Sequence, residues 1–454
     1  MPQILILGAG HSSPLLIQHL LEHAQSLEAR ILVADLDIEA AKRRIDGHPR
    51  GEAHQLDLHR EAETAALFAA SDLVIHMLPP QLQPTSARLA VEHGCHLVSA
   101  SYRSSEIEQL DERARSAGVA LMTEMGLDPG IDLMSAQRII STLQARGARI
   151  ERFLSYGGGL PEPDFDGNPL RYCVTWNPRN VVMAAEHGAR YLRKGKFKLE
   201  PWNRVFARTW PVDVPGLGLF DAYANRDSIS YRAIHGIEHV ETLVRGTLRY
   251  PGYAQIWHLL VRLGLPNEHL EIPRLGERSW ADLVEMFLPD ADEPGGSVGD
   301  IRQRVASYLD LDIDDERLRA LEWLGLFSDE AIGIAGEHPA DAIKALLERR
   351  LPLPATSRDM VVLHHEIDAV FDDGSKERTL STFVHYGQPG GLTAMAHTVG
   401  LPAALGARML LDGRLERRGC LSPTDEDVYQ PVLAALEAEG LRFDEETQPL
   451  TNDA

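Results

Sequence analysis

The sequence has 454 residues, of which 44% are hydrophobic and 25% are charged, and its formal net charge is −22. This length predicts two or three domains, and the composition excludes an intrinsically disordered chain. No stretch approaches the roughly 18 consecutive apolar residues of a transmembrane helix, and a surface this acidic makes nucleic acid and anionic membranes poor partners.

The N-terminus and the cysteines predict a cytoplasmic protein. No basic segment precedes the apolar run that begins near Ile4, so we expect no secretory signal. Cys95, Cys173 and Cys420 are far apart, odd in number and include no CxxC pair. We therefore expect neither a disulfide scaffold nor a metal site built on cysteines, which fits a reducing compartment.

A glycine-rich turn between a strand and a helix is the clearest local motif. The apolar run Gln3–Leu7 is typical of a central parallel strand, and Gly8-Ala-Gly10-His11-Ser12-Ser13 leads from it into helical spacing. This order predicts the phosphate-binding start of a dinucleotide fold. Ser13 replaces the third motif glycine, so a tight turn without a ligand is the alternative.

The next strands extend this pattern. Residues 29–35 form an apolar run that ends in Asp35, about twenty residues past the glycines, where a carboxylate accepts hydrogen bonds from a ribose. Residues 72–79 and 95–99 predict two more strands. The alternation predicts a Rossmann-type doubly wound parallel sheet through about residue 125. Asp35, with no basic neighbour at Leu36, favours NAD and leaves NADP as the second choice.

The middle of the chain mixes strands, loops and one helix. Residues 124–130 form a loop after a sheet strand, at the edge where open α/β sheets bind ligands, and 132–145 predicts a helix. Residues 149–160 predict a strand that runs into a flexible loop at 155–160, and 173–176 predicts a short strand.

Two arginines are candidates for binding carboxylates. Arg226 follows a short aromatic stretch, and Arg249 lies in the alternating strand pattern of 244–250. Guanidinium groups hold carboxylates in a bidentate fashion. Solvated charges at a strand edge are the alternative, and the composition alone favours that alternative.

The last third predicts helices followed by strands. Residues 256–354 read as a helical insertion, which contains an acidic, glycine-rich loop at 290–299, and strands are predicted at 360–367 and 379–386. His364, His365 and Glu366 are consecutive, and adjacent residues of a strand point to opposite faces. The three side chains therefore cannot share one metal ion. A helix from 393 is expected to break near Gly400, and the tail from Gln448 is expected to fray.

Together these motifs resemble the saccharopine dehydrogenase family of the L-glutamate-forming type, also called saccharopine reductase. The matching stretches occur in order across nearly the whole chain: 124–132 (EMGLDPGID), 155–161 (SYGGGLP), 225–228 (NRDS), 245–250 (RGTLRY), 323–329 (WLGLFSD), 359–365 (DMVVLHH) and 393–396 (TAMA).

The resemblance implies an architecture and a reaction. A Rossmann domain of residues 1–125 is completed by about 393–447, residues 126–255 and 355–392 form a substrate-binding α/β domain, and 256–354 form the helical insertion. Saccharopine is oxidised at its secondary amine, and water splits the imine into L-glutamate and 2-aminoadipate 6-semialdehyde. A homodimer is also implied.

The resemblance carries site residues onto this sequence. The cofactor positions are Gly8, Gly10, His11, Ser12, Ser13, Asp35, Leu36, Asp37, Asp57, Leu58, Ile75, Ala100, Ser101, Leu127, Asp128, Pro129 and Thr175. The substrate positions are Ser101, Tyr102, Asp128, Arg226, Thr247, Leu248 and Arg249. Asp128 and Tyr102 are the candidates for catalysis, with Asp128 expected to orient the substrate amine.

The chain departs from the family pattern at a few positions. NADP-using fungal members have an arginine where this chain has Leu36, Gly157 stands where the family often has cysteine, and Leu133 replaces a histidine. A related dehydrogenase such as carboxynorspermidine dehydrogenase, and a nucleotide-binding protein without catalysis, are the competing interpretations. A polyamine substrate favours acidic pocket residues, so Arg226 and Arg249 argue against the former.

Overall fold

The computed structural model describes residues 1–450. The strands are Gln3–Leu7 (β1), Arg30–Asp35 (β2), Gly51–Gln55 (β3), Leu73–His76 (β4), His96–Ser99 (β5), Ala120–Met122 (β6), Arg149–Pro161 (β7), Ala189–Arg193 (β8), Lys196–Glu200 (β9), Thr209–Val214 (β10), Gly218–Ala224 (β11), Thr242–Arg249 (β12), Asp359–Val370 (β13), Lys376–Tyr386 (β14), Gly419–Leu421 (β15) and Phe443–Pro449 (β16).

The helices alternate with these strands in the first third and dominate residues 253–350. They are Pro14–His23 (α1), Ile38–Ile45 (α2), Glu61–Ala69 (α3), Gln83–His93 (α4), Ser105–Glu108 (α5), Asp111–Ser116 (α6), Ile131–Ala145 (α7), Pro178–Val182 (α8), Tyr231–Ile234 (α9), Tyr253–Arg262 (α10), Trp280–Glu285 (α11), Ile301–Leu309 (α12), Glu316–Leu324 (α13), Pro339–Arg350 (α14), Ala394–Leu411 (α15) and Glu426–Ala438 (α16).

The chain divides into two compact units, which we describe separately. Unit 1 comprises Met1–Ile150, Ala369–Glu377 and the residues from Phe383 onward. Unit 2 comprises Glu151–Asp368 and Arg378–Thr382.

Unit 1 is built on a parallel sheet with the strand order β15-β6-β5-β4-β1-β2-β3. Its central strands are apolar because both faces are covered, and Leu5, Ile6, Val74 and Leu97 are fully buried. Every pairing in this sheet is parallel. The order of β3 to β6 is that of dinucleotide-binding folds, so the predicted Rossmann-type sheet is confirmed.

The long helix α15 packs on α1. The two helices approach so closely that a Cβ built on Gly400 would lie 2.9 Å from the backbone nitrogen of Leu16. The predicted break near Gly400 is wrong, because α15 continues through Pro402 to Leu411. Gly400 therefore permits a close helix contact instead of ending the helix.

Unit 2 contains most of a mixed sheet with the strand order β10-β11-β12-β7-β13-β14-β16, and β8 pairs with β12 and β9. β7 and β12 are parallel neighbours, whereas β10, β11 and β12 are antiparallel. The flexible loop predicted at 155–160 is wrong, because these residues belong to β7. The strand predicted at 173–176 is also wrong: this segment forms a single bridge from Val174 to Pro352.

The helices of residues 253–350 share one apolar core. Trp257 on α10 and Trp280 on α11 are buried in it, together with Leu321 on α13 and Leu347 on α14. This packing confirms the helical character that the sequence predicts for 256–354. The loop at 290–299 contains neither helix nor strand.

The end of the chain is more ordered than the sequence suggests. β16 extends through Gln448 to Pro449, and the backbone N–H of Leu450 donates to the carbonyl of Lys376 at 2.9 Å. The expectation of fraying from Gln448 is therefore wrong for residues 448–450, and its remainder lies outside the described residues. No helix within 1–450 is long and apolar enough to cross a membrane.

We expect Gly400→Ala to lower the free energy of unfolding by about 1–3 kcal/mol, because the added methyl meets backbone that cannot move aside. The matched control is Gly406→Ala on the same helix. Its Cβ would meet the flexible side-chain ends of Met122 and Met125 instead of backbone. Urea unfolding of both variants measures the difference. Equal losses would show that the contact between α1 and α15 is not the constraint.

Candidate functional site

The glycine turn lies at the carboxyl end of β1. Gly8 has a φ of +106°, and a Cβ there would lie 3.0 Å from the carbonyl oxygen of Met77. A Cβ on Gly10 would have no neighbour among the described residues within 4 Å, so the turn is open to a ligand on that side. Ser13 is buried, and its hydroxyl donates to the Gly10 carbonyl at 3.0 Å.

Asp35 fixes the other side of this turn. One carboxylate oxygen accepts the N–H of Ala9 at 2.7 Å, and the second accepts the N–H of Asp37 at 2.9 Å. Asp37 in turn caps α2 through the N–H of Glu39. Leu36 is 67% exposed between the two acids. The structure thus brings Asp35, Leu36 and Asp37 to the glycine turn.

The remaining candidates of the nucleotide site follow the other strands. The strand order reverses between β1 and β4, and ligands bind at the carboxyl ends of strands around such a point. Ile75 is buried near the end of β4, Ala100 and Ser101 follow β5, and Asp57 and Leu58 follow β3. All of these lie at or beyond the carboxyl ends of their strands.

The loop between β6 and α7 joins this edge through a short hydrogen bond. The hydroxyl of Tyr102 donates to Oδ1 of Asp128 at 2.6 Å. The loop itself is tightly closed, since a Cβ on Gly130 would lie 2.0 Å from the carbonyl oxygen of Gly126. Glu124 donates its N–H to the carbonyl of Ser101 at 3.0 Å, which holds the two loops together.

Leu133 on α7 is only 1% exposed. A side chain so deeply buried contributes to packing of the helix, so we interpret the replacement of the family's histidine as a core substitution.

His76, at the end of β4, is also buried, and burial lowers its pKa to about 4.

In unit 2, Arg249 is a buried cation. It is 5% exposed, and its guanidinium carbon lies 5.1 Å and 5.2 Å from the ring centroids of Tyr172 and Tyr253. Nη1 donates to the carbonyl of Leu248 at 2.7 Å, and Nε has no hydrogen-bond partner. No carboxylate of residues 1–450 forms an ion pair with it. A buried charge in this state has a strong tendency to attract an anion.

The tyrosines around Arg249 are neutral at pH 7. Burial raises the pKa of Tyr172, and burial raises that of Tyr253 well above its usual value. Their rings therefore offer the guanidinium a π face and a dipole but no compensating charge. The indole N–H of Trp176 donates to the hydroxyl of Tyr172 at 3.1 Å and fixes that ring.

The other substrate candidates lie along β11 and β12. Thr247 and Arg249 share one face of β12, because alternate strand residues point the same way. The side chain of Leu248 is fully buried. Arg226 follows β11 with a φ of +47°. Asp221 of β11 is the residue paired with Arg249, and Arg226 follows Asp221 by five residues, beyond the end of β11 at Ala224.

The two arginines therefore occupy separate positions, with Arg249 within β12 and Arg226 beyond the end of β11. Sequence reasoning missed Tyr172, Tyr253 and the buried Arg245, whose guanidinium lies 4.1 Å from the ring centroid of Tyr231. The alternation of 245, 247 and 249 was a signal for Arg245.

Thr175 is 4% exposed and belongs to unit 2, whereas the other cofactor candidates belong to unit 1.

The histidines of β13 are structural. Nδ1 of His364 contacts the hydroxyl of Thr382 at 2.9 Å, and burial lowers the pKa of His365 to about 3. Within residues 1–450, no group of three His, Cys, Asp or Glu side chains is arranged to hold a metal ion.

The residues at the nucleotide site fit a dinucleotide. The open space at Gly10 admits a pyrophosphate to the N-terminus of α1, and Asp35 is placed to accept hydrogen bonds from a ribose.

Comparison with known proteins gives consistent matches. The family model described as "Saccharopine dehydrogenase NADP binding domain" matches residues 4–122, and "Saccharopine dehydrogenase C-terminal domain" matches residues 126–441. The "Saccharopine dehydrogenase [NADP(+), L-glutamate-forming]" of Schizosaccharomyces pombe is 32% identical over 98% of this chain and 99% of its own length.

Two further relatives extend this result. The solved structure of apo saccharopine dehydrogenase (L-Glu forming) from Saccharomyces cerevisiae has a TM-score of 0.83 and 30% identity, and covers 99% of this chain and all of its own. The mitochondrial alpha-aminoadipic semialdehyde synthase of Mus musculus is 37% identical over 85% of this chain, which spans only 41% of that longer protein.

We expect Arg249→Met to leave the free energy of unfolding unchanged or to raise it by about 1–4 kcal/mol, because it removes an uncompensated buried charge at similar volume. The control is Arg179→Met, which breaks ion pairs with Glu268 and Asp341. That control is expected to lose about 1–3 kcal/mol. Urea unfolding without ligand measures both. A larger loss for Arg249→Met than for Arg179→Met would contradict the description of Arg249 as uncompensated.

Proposed function

Because this chain belongs to the saccharopine dehydrogenase family, we propose that it oxidises saccharopine to L-glutamate and 2-aminoadipate 6-semialdehyde in lysine metabolism, or catalyses the reverse reductive condensation. It is an NAD(P)-dependent oxidoreductase of the CH–NH group. The observation that carries the substrate is Arg249, a buried guanidinium without a carboxylate partner in the described chain.

The substrate supplies the charges that this site lacks. Saccharopine carries three carboxylates, and a charge-assisted hydrogen bond to one of them would offset the burial of the Arg249 charge. Arg226, further along the neighbouring strand, is suited to a second carboxylate. Thr247, on the same face of β12 as Arg249, offers a hydroxyl donor.

Asp128 and Tyr102 are the residues proposed to act near the reacting amine. Because Tyr102 donates to Oδ1 of Asp128, the carboxylate is held in one orientation. An oriented carboxylate accepts an N–H of the substrate amine and positions the neighbouring carbon. Because this hydrogen bond fixes the carboxylate, we assign the pair to orientation of the amine.

A bound nicotinamide would supply a hydride acceptor for the carbon next to the amine. The open turn at Gly10 and the N-terminus of α1 would hold the pyrophosphate, and Asp35 would bind the adenosine ribose. The imine formed on the substrate is then hydrolysed by water, which yields the amine of glutamate and the semialdehyde. No lysine or histidine is assigned to either proton transfer.

The competing functions fit these residues less well. The ammonium groups of a polyamine would be repelled by Arg249, which disfavours carboxynorspermidine and its relatives as substrates. A nucleotide-binding protein without catalysis has no use for a buried cation that destabilises unit 2. Both arguments rest on the same guanidinium.

Three further features remain proposals. We propose a division into a Rossmann domain (1–125 with 393–447), a substrate domain (126–255 with 355–392) and a helical insertion (256–354). We also propose a homodimer and a cytoplasmic location.

We propose that Asp35 gives this enzyme a preference for NAD. Its carboxylate is fixed at the ribose side of the turn, and Leu36 offers no charge to a 2′-phosphate. The relative from Schizosaccharomyces pombe carries NADP(+) in its name, so this position is where the chain is expected to differ from that protein.

With L-saccharopine, we expect formation of reduced nicotinamide together with glutamate, and we expect Asp128→Ala to lower kcat by about 100-fold through lost orientation. The absorbance of the reduced cofactor and a glutamate assay measure this. Glu112→Ala, an exposed acid on α6, is the control and should keep full activity. Full turnover by Asp128→Ala at saturating saccharopine would disprove its role. No turnover by the wild type would disprove the substrate.

We expect Asp35→Asn to raise kcat/KM with NADP relative to NAD by about tenfold, because the amide keeps an oxygen for Ala9, gives up the acceptor for the Asp37 N–H and loses the charge that repels the 2′-phosphate. The control is Glu39→Gln, which removes one negative charge from an exposed acid on α2, further from the turn. Steady-state kinetics with both cofactors gives the ratio. An unchanged ratio in Asp35→Asn would remove Asp35 as the determinant.

A further inference from the structure

Arg44, near the end of α2, reaches back to the glycine turn. Its Nε donates to the carbonyl of Ala9 at 3.4 Å, and the N–H of the same residue donates to Asp35 at 2.7 Å. A guanidinium and a carboxylate thus contact the same residue of the turn, one at its carbonyl and the other at its amide.

The charge of Arg44 is not balanced by an acid. Across the part of the chain that the structure describes, no carboxylate forms an ion pair with Arg44, and the side chain is half-buried. Burial, and next to it the charge of Arg43, lower the pKa of Arg44. Arg43 itself makes only a long ion pair with Asp37, at 3.4 Å, and is mostly exposed. Two neighbouring guanidiniums at one edge form a site that an anion would stabilise.

There is room for such an anion within unit 1. A cavity of about 770 Å³ is lined by Arg43 and Arg44, and His11 of the glycine turn lies on its wall. The cavity extends from His11 to both arginines, and the acids Glu22 and Asp46 line it as well.

We propose that Arg44, assisted by Arg43, binds the 2′-phosphate of NADP and replaces the basic residue that is missing at Leu36. This inference rests on the proposed nucleotide-binding role of the glycine turn. Guanidinium groups bind phosphate oxygens with paired N–H donors, and Arg44 is already oriented by its contact with Ala9. Asp35 repels the same phosphate. The cofactor preference therefore depends on the balance between Arg44, which attracts the 2′-phosphate, and Asp35, which repels it.

Binding of two nucleotide fragments tests this subsite without any turnover. Adenosine 2′,5′-bisphosphate and 5′-AMP differ only by the 2′-phosphate, and calorimetry with the full chain gives the ratio of their dissociation constants. We expect Arg44→Gln to weaken binding of the bisphosphate relative to 5′-AMP by about tenfold or more, while binding of 5′-AMP changes by less than about twofold. Arg44→Lys should retain part of the preference, because it keeps the charge and loses the planar donors.

The matched control is Lys42→Gln on the same helix. It removes one positive charge from a residue that is already paired with Glu39 at 2.8 Å. If Lys42→Gln and Arg44→Gln reduce the preference equally, the effect is one of general charge and the subsite is disproved. An unchanged ratio in Arg44→Gln disproves it as well.

The test separates this inference from the proposed function. If the chain binds both fragments but does not oxidise saccharopine, the proposed substrate is disproved and the proposed phosphate subsite is not. If Arg44→Gln fails to fold, the ratio of the two dissociation constants is measured in Arg43→Gln instead. Arg43 is mostly exposed, so we expect a smaller loss of bisphosphate binding there. No change in either folded variant overturns the proposal.

Discussion

The position of β1 between β2 and β4 determines where unit 1 can bind a ligand. Because the strand order reverses there, the connections leave to opposite sides and a crevice opens at the carboxyl ends. Gly8 must be a glycine because the turn passes close to Met77, and Asp35 reaches the turn because β2 ends beside it. Thus the fold itself places the glycine turn and one fixed acid, Asp35, together at this edge.

We propose that Arg249 gives unit 2 a binding group at a cost in stability. Other arginines in this acidic chain have acids beside them: Arg179 contacts Glu268, and Arg146 contacts Glu377. Arg249 has neutral tyrosines around it, with Tyr253 as a hydrogen-bond partner, and one carbonyl but no carboxylate, so an anion would offset the cost of its burial. A carboxylate ligand then gains a donor that is already desolvated and oriented, which lowers the ordering cost of binding.

The sequence predicts what depends on neighbours along the chain. The strand, glycine turn and helix around Gly8 were predicted because periodicity and turn chemistry are local signals. The glycines of 155–160 misled the prediction, because β7 is held on both sides by β12 and β13 and tolerates them. Gly400 misled it in the same way, since a contact with Leu16 made by folding explains that residue. Tyr172 and Arg249 are distant in sequence, so no pattern could join them.

The cofactor preference is the point at which local patterns are least sufficient. Asp35 alone predicts NAD, but Arg44 contacts the same residue of the turn with the opposite charge. The carboxylate is held at 2.7 Å and the guanidinium at 3.4 Å, and solvent screens both. Since a tenfold selectivity corresponds to only about 1.4 kcal/mol, the difference between two opposed contacts of this kind is enough to set it. A preference built this way is modest and adjustable by single substitutions, so relatives with the same fold can differ in the cofactor they use.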